Sequence, residues 1–135
     1  MKKHKFQKVY KDSGKTCCPY LRGKSGCYII KENGKIVYIG YSKTILYKTI
    51  FRHFQQWADP RAPRVTYVNK MRRNAYTLRV ILCTKGLAPR LEKMLIIRHQ
   101  PRDNKEKYKS FQAGPPEKRA ISVYDQIGVI EKAPF

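Results

Sequence analysis

The chain has 135 residues, enough for one domain with a modest core. Thirty Lys and Arg against nine Asp and Glu give a net charge of +21, and so much like charge opposes compaction unless a polyanion answers it. A membrane is not the expected partner: no run of about 18 apolar residues exists to span one, and the basic opening MKKHKFQK leads into no apolar stretch of a secretory signal.

Residues 1–24 are basic, polar and aperiodic, and are expected to form an arm that orders on a partner. Cys17, Cys18, Cys27 and Cys83 show no C-x-x-C spacing, which argues against a zinc knuckle. Free thiols in a reducing, cytoplasmic compartment are the economical reading. His4, His53 and His99 are too scattered to suggest a metal cluster.

Two β-rich runs follow, CYIIK (27–31) and KIVYI (35–39), with Asn33-Gly34 between them. That pair is a strong two-residue hairpin signal, because both positions tolerate positive φ. Gly40 is expected to break the second strand. In an ideal hairpin of this kind residues pair when their numbers sum to 67. Tyr28 then opposes Ile39, Tyr38 opposes Ile29, and the two phenols point to opposite faces. Bringing both to one site requires a bulge or a different turn.

Ser42 is a plausible N-cap for a helix over about 43–57, with Leu46, Ile50, Phe54 and Trp57 at core-facing spacing. Asp59-Pro60 and Ala62-Pro63 end it. The basic connector that follows supplies Arg61, Arg64, Lys70, Arg72 and Arg73, which together with Lys43 and Arg79 suit the backbone of a nucleic acid. Tyr67 and Tyr76 stand among these charges to stack on bases or to pack. A third strand is expected over 76–84. A second helix spans about 88–99, with Pro89 in its first turn and Pro101 beyond its end. Residues 106–135 form an extension whose apolar patch ISVYDQIGVI adds a strand or docking segment. The expected class is α/β (α+β), with a small antiparallel three-stranded sheet flanked by helices in the order β-β-α-β-α.

Over residues 25–105 these features resemble the GIY-YIG nuclease superfamily. Gly26-Cys27-Tyr28 is a variant of the first half-motif, and Tyr38-Ile39-Gly40 matches the second. LEKMLIIRHQPRDN is similar to the family's helix with a metal-binding glutamate, here Glu92, followed by Pro101 and Asn104. The resemblance implies a phosphodiesterase using one divalent cation, Mg2+ or another such as Mn2+, held on Glu92 and phosphate oxygens. Tyr28 and Tyr38 would position or activate water, and Asn104 would orient groups nearby.

The family usually shows Arg, then His or Tyr four residues later, on the first helix. Counting without gaps from Gly40, those positions fall on Lys48 and Arg52; with one extra residue they fall on Thr49 and His53. Neither register supplies both side chains. Glu92 also stands out unaided: Asp59 is the one other acid between Glu32 and itself, in an interval crowded with bases. An isolated carboxylate in such a field ionises readily and is a hard oxygen ligand suited to Mg2+. The expected function is an endonuclease acting on nucleic acid, DNA foremost. The alternative is a catalytically weak or inactive binding protein of the same fold, serving packaging or assembly.

Overall fold

The computed structural model describes residues 1–56, 61, 64–104 and 108–132. The hairpin forms where Asn33-Gly34 placed it, with φ of 51° and 84° at the two turn residues. It joins β3 (Gly26–Glu32) to β4 (Lys35–Ser42). The pairing departs from the ideal between Ile30 and Lys31. Lys31 faces Ile36, but Ile30 faces Tyr38 and Tyr28 faces Gly40. Val37 is therefore the extra residue of a bulge, and beyond it every β4 side chain changes face. That shift sets Tyr38 beside Tyr28, with ring centroids 6.1 Å apart in a stacked arrangement.

Gly40 does not end the strand, which continues to Ser42 opposite Gly26. The glycine instead makes room for a ring. A Cβ at position 40 would lie 2.5 Å from Cζ of Tyr28, inside contact distance.

The sheet corrects the expected three-stranded antiparallel design. Among the described residues it has six strands, five of them in the order β4-β3-β5-β1-β6, where β5 is Tyr76–Leu82, β1 is Lys2–His4 and β6 is Val129–Ile130. β2 (Gln7–Lys8) also pairs with β5. The β1–β6 pair is parallel, so the sheet is mixed. The N-terminal residues thus form strands along β5 rather than a free arm. Lys3 is buried there, its Nζ donating to the Tyr124 carbonyl at 2.6 Å and lying 4.4 Å from the Tyr124 ring centre. A lysine whose stem is buried and whose head is satisfied can occupy a strand that its charge argues against.

Helices cover both faces. α1 (Leu46–Phe51), continued by a 3-10 turn at Arg52–Phe54, packs with Tyr28, Ile30 and Val80 on one side. α2 (Leu87–His99) and α3 (Pro115–Gln126) pack with Cys27, Ile29 and Ile81 on the other. Burial on both faces explains why β3 reads as a continuous apolar run rather than an alternating one. α1 is shorter than its periodicity predicts. β4 uses the chain to Ser42, whose Oγ accepts the Ile45 amide at 3.0 Å, and the helix starts at Leu46. The expected Trp57, Asp59, Pro60, Ala62 and Pro63 lie outside the described residues. α3 was not foreseen; Pro115 and Pro116 occupy its first turn, where prolines are tolerated. Arg98 clamps α3 to α2 through two 2.7 Å bonds to Asp125. No helix among the described residues is long and apolar enough to cross a membrane.

Gly40→Ala should destabilise the fold by about 1–3 kcal/mol, the usual range for inserting a methyl into a filled site. Urea unfolding measures the loss, which should be smaller when Gly40→Ala is made in a Tyr28→Ala background, where the ring that fills the site is gone.

Candidate active site

The bulge, the glycine and the turn after β4 together open a cleft of about 690 Å3. Tyr28 and Tyr38 come from the hairpin, Thr49, Arg52 and His53 from α1 and its 3-10 turn, and Glu92 from α2. Lys43, Arg64 and Asn104 also line it. Lys48 does not. It lines a separate pocket, because the late start of α1 turns Thr49 and His53, not Lys48, toward the hairpin. Arg61, Lys70, Arg72 and Arg73 are exposed and stand outside the cleft lining.

His53 is the best-defined group. Its Nδ1 lies 2.7 Å from the Val65 carbonyl, and its Nε2 lies 2.7 Å from the Tyr28 hydroxyl. A carbonyl can only accept, so Nδ1 carries the proton and Nε2 accepts from Tyr28. The Tyr38 ring lies 4.5 Å from the imidazole, centroid to centroid. Burial is the main force on both partners. It lowers the His53 pKa to about 4, against the bond to Val65, with Arg64 lowering it further. It pushes the Tyr28 phenol well above its ordinary range, reinforced by the charges of Tyr38 and Glu92. In the free protein the pair is therefore a neutral tyrosine bonded to a neutral imidazole.

Glu92 is 2% exposed, on a helix whose neighbours Leu91, Leu95 and Ile96 fill the core. It is not the surface glutamate that its flanking Arg90 and Lys93 suggest. Tyr108, beyond the region of resemblance, also meets it: burial, then the charge of Glu92 and a hydrogen bond to it, raise the Tyr108 phenol above its ordinary range. No motif marked Tyr108 or Val65 in advance.

Asn104 lines the cleft, and its side chain is bonded to β4. Its Oδ1 accepts the Ile39 amide and its Nδ2 donates to the Ile39 carbonyl, both at 2.9 Å. The side chain thus pairs with β4 as a strand residue would, and Asp103 adds a backbone bond to Val37 at 3.0 Å. Tyr67 and Tyr76 are buried in the core and do not offer faces to bases. Their hydroxyls donate to Asp103 at 2.7 Å and Glu32 at 2.6 Å, and Arg102 bonds both carboxylates. Arg79 is likewise engaged elsewhere, on the His4 carbonyl and the Tyr124 hydroxyl.

No group of three or more His, Cys, Asp or Glu among the described residues could form a closed metal cage. The donor set fits a different kind of ion. Asp103 lines the cleft but is held by Arg102 and Tyr67; among the described residues Glu92, which Tyr108 also meets, is the carboxylate that could hold a cation there. A single hard oxygen ligand suits Mg2+ or Mn2+ that keeps several waters and takes phosphate oxygens. The cations Lys43, Arg52 and Arg64 around it favour a polyanion in the same space.

The depressed His53 pKa makes a stability prediction. The folded state holds the imidazole below its ordinary 6.5, so the unfolded chain binds the proton more readily. The contribution is complete above pH about 6.5 and is lost as pH falls through about 4. Its full size is about 3 kcal/mol. Urea unfolding from neutral pH down to about 4 should show a steeper loss in wild type than in His53→Leu.

No family model matches this chain, and no curated protein does.

Proposed function

We propose that the protein is a metal-dependent endonuclease that hydrolyses phosphodiester bonds in nucleic acid, with DNA as the first candidate. The observation that carries this reading is the shared cleft. Three tyrosines (Tyr28, Tyr38 and Tyr41), a histidine, two guanidinium groups and the buried carboxylate of Glu92 line the same space in a chain of net charge +21. Structural packing alone does not require these groups to meet.

The chemistry follows from the bonds already described. A phosphodiester enters among Lys43, Arg52 and Arg64, which hold it by charge; the planar forks of the two arginines suit phosphate oxygens and the extra charge of a five-coordinate transition state. The anion raises the His53 pKa from its low resting value toward neutrality. A water bonded to the Tyr28 oxygen can then pass its proton there while Tyr28 passes its own to Nε2 of His53. The imidazolium that forms keeps its Nδ1 proton on the Val65 carbonyl. Tyr38, ring to ring with His53 and Tyr28, confines the imidazole in the required plane. Glu92 would hold the divalent cation, which when bound supplies Lewis-acid polarisation of the phosphate.

One observation favours a binding protein without turnover. Thr49 stands at the helix position where the resemblance expects arginine, and it lines the cleft with a neutral hydroxyl. Arg52 and Arg64 supply positive charge from neighbouring positions, and the assay below decides between the two readings.

Purified protein should nick supercoiled plasmid with Mg2+ or Mn2+ and leave it intact in EDTA. Glu92→Gln should lower the rate about a hundredfold or more, by analogy with other losses of transition-state charge stabilisation, while binding persists. Binding without cleavage by wild type, across divalent metals and substrates, would overturn the enzymatic reading. Affinity for duplex DNA should fall by about 0.9 log unit per log unit of salt for each phosphate neutralised. A flat salt response would contradict the assignment of the basic surface.

A further inference from the structure

Beside the cleft lies a second pocket of about 480 Å3, within the roughly 300–1,000 Å3 of small-molecule sites. Ile45, Tyr47 and Phe51 line it, with Arg22, Lys48, Arg52 and Gln55. Phe51 is buried and Tyr47 half-buried, whereas Arg22, Lys48 and Gln55 are exposed. The pocket therefore has an apolar interior and a cationic, hydrogen-bonding rim. No acidic residue among the described residues lines it.

Three further features bear on its occupant. The Tyr47 hydroxyl bonds Thr16 Oγ1 at 2.9 Å, and the Arg22 guanidinium lies 5.3 Å from the ring centre, so the ring is held in place. Ile45 remains 42% exposed although it adjoins the core helix α1, an uncovered aliphatic side chain at the mouth of a pocket. Arg52 lines this pocket and the candidate cleft alike, so the two are contiguous subsites of one surface.

We infer that this pocket takes a nucleobase of the strand whose phosphate occupies the cleft. A base has apolar faces for Ile45, Tyr47 and Phe51, and polar edges for Gln55 and the cations. Its sugar-phosphate suits Arg22, Lys48 and Arg52, and the shared arginine is the link between adjacent nucleotides. A base reaches such a pocket when it is unstacked, so the preferred substrate is single-stranded or has a displaced nucleotide, rather than regular duplex. Lys48, one of the two positions that spacing offered for the family's arginine, becomes a substrate-binding residue. This inference rests on the proposed reading of the cleft as a phosphodiester site.

The test is binding, in EDTA, of two fluorescently labelled strands of equal length and charge: an oligothymidylate and the same backbone with abasic sites. Wild type should prefer the base-bearing strand by about fivefold or more, the lower end of base–side-chain stacking effects. Ile45→Ser, at an exposed position outside the cleft, should erase most of that preference and leave affinity for the abasic strand unchanged. Tyr47→Ala should do the same if its circular dichroism and unfolding midpoint show it folded. Equal wild-type affinity for the two strands, or a preference that Ile45→Ser leaves intact, overturns the pocket. Because no turnover is involved, a protein that keeps the preference but never cleaves DNA refutes the nuclease and retains the base site. A protein that cleaves but shows no preference does the reverse.

Discussion

One extra residue in an edge strand determines whether this protein has a site at all. With uninterrupted pairing, Tyr38 would stand on the face that α2 covers, and His53 would meet one phenol instead of two. Inserting Val37 as a bulge costs ladder regularity but rotates the remainder of β4 by one face. Gly40 then leaves the Tyr28 ring the space above the backbone. Alternative pairings are disfavoured because β3 is buried on both sides, between the α1 layer and the α2–α3 layer. A slip of one position would exchange the side chains of two cores of different shape.

Electrostatics in the cleft follow from the same placement. The tyrosine and histidine are buried together, and burial penalises the charged form of each. The resting pair is neutral, while the guanidinium and ammonium groups surround it. Under the proposed reading, an anion in the cleft would be held by these charges and would in turn make the imidazole a stronger base. Binding and activation would then be coupled through the distance between His53 and the guest.

The sequence was informative where local rules dominate. The Asn33-Gly34 turn, the β5 run and α2 with its flanking Gly86 and Pro101 depend on short-range geometry, and each appears close to its expected place. Charge contrast singles out Glu92, whereas spacing places Tyr28 and Tyr38 on opposite faces and only the family resemblance brings them to one site. What was not legible depends on distant residues. KKH and QK show no strand pattern, and β1 and β2 form only because β5 offers an unpaired edge. A pair of prolines reads as a break, but at the start of α3 it is compatible with the helix. The face of α1 depends on where β4 ends, which depends on the bulge. Lys48 and Thr49 therefore could not be ordered from spacing alone.

The Asn104 side chain that doubles as a strand partner for Ile39 has one more consequence. A terminal strand normally presents a row of unsatisfied amides and carbonyls to any passing chain. Here the loop after α2 occupies part of that row on β4, through Asn104 at Ile39 and the Asp103 amide at Val37. That part of the β4 border beside the cleft is thereby withheld from strand-to-strand pairing with another chain.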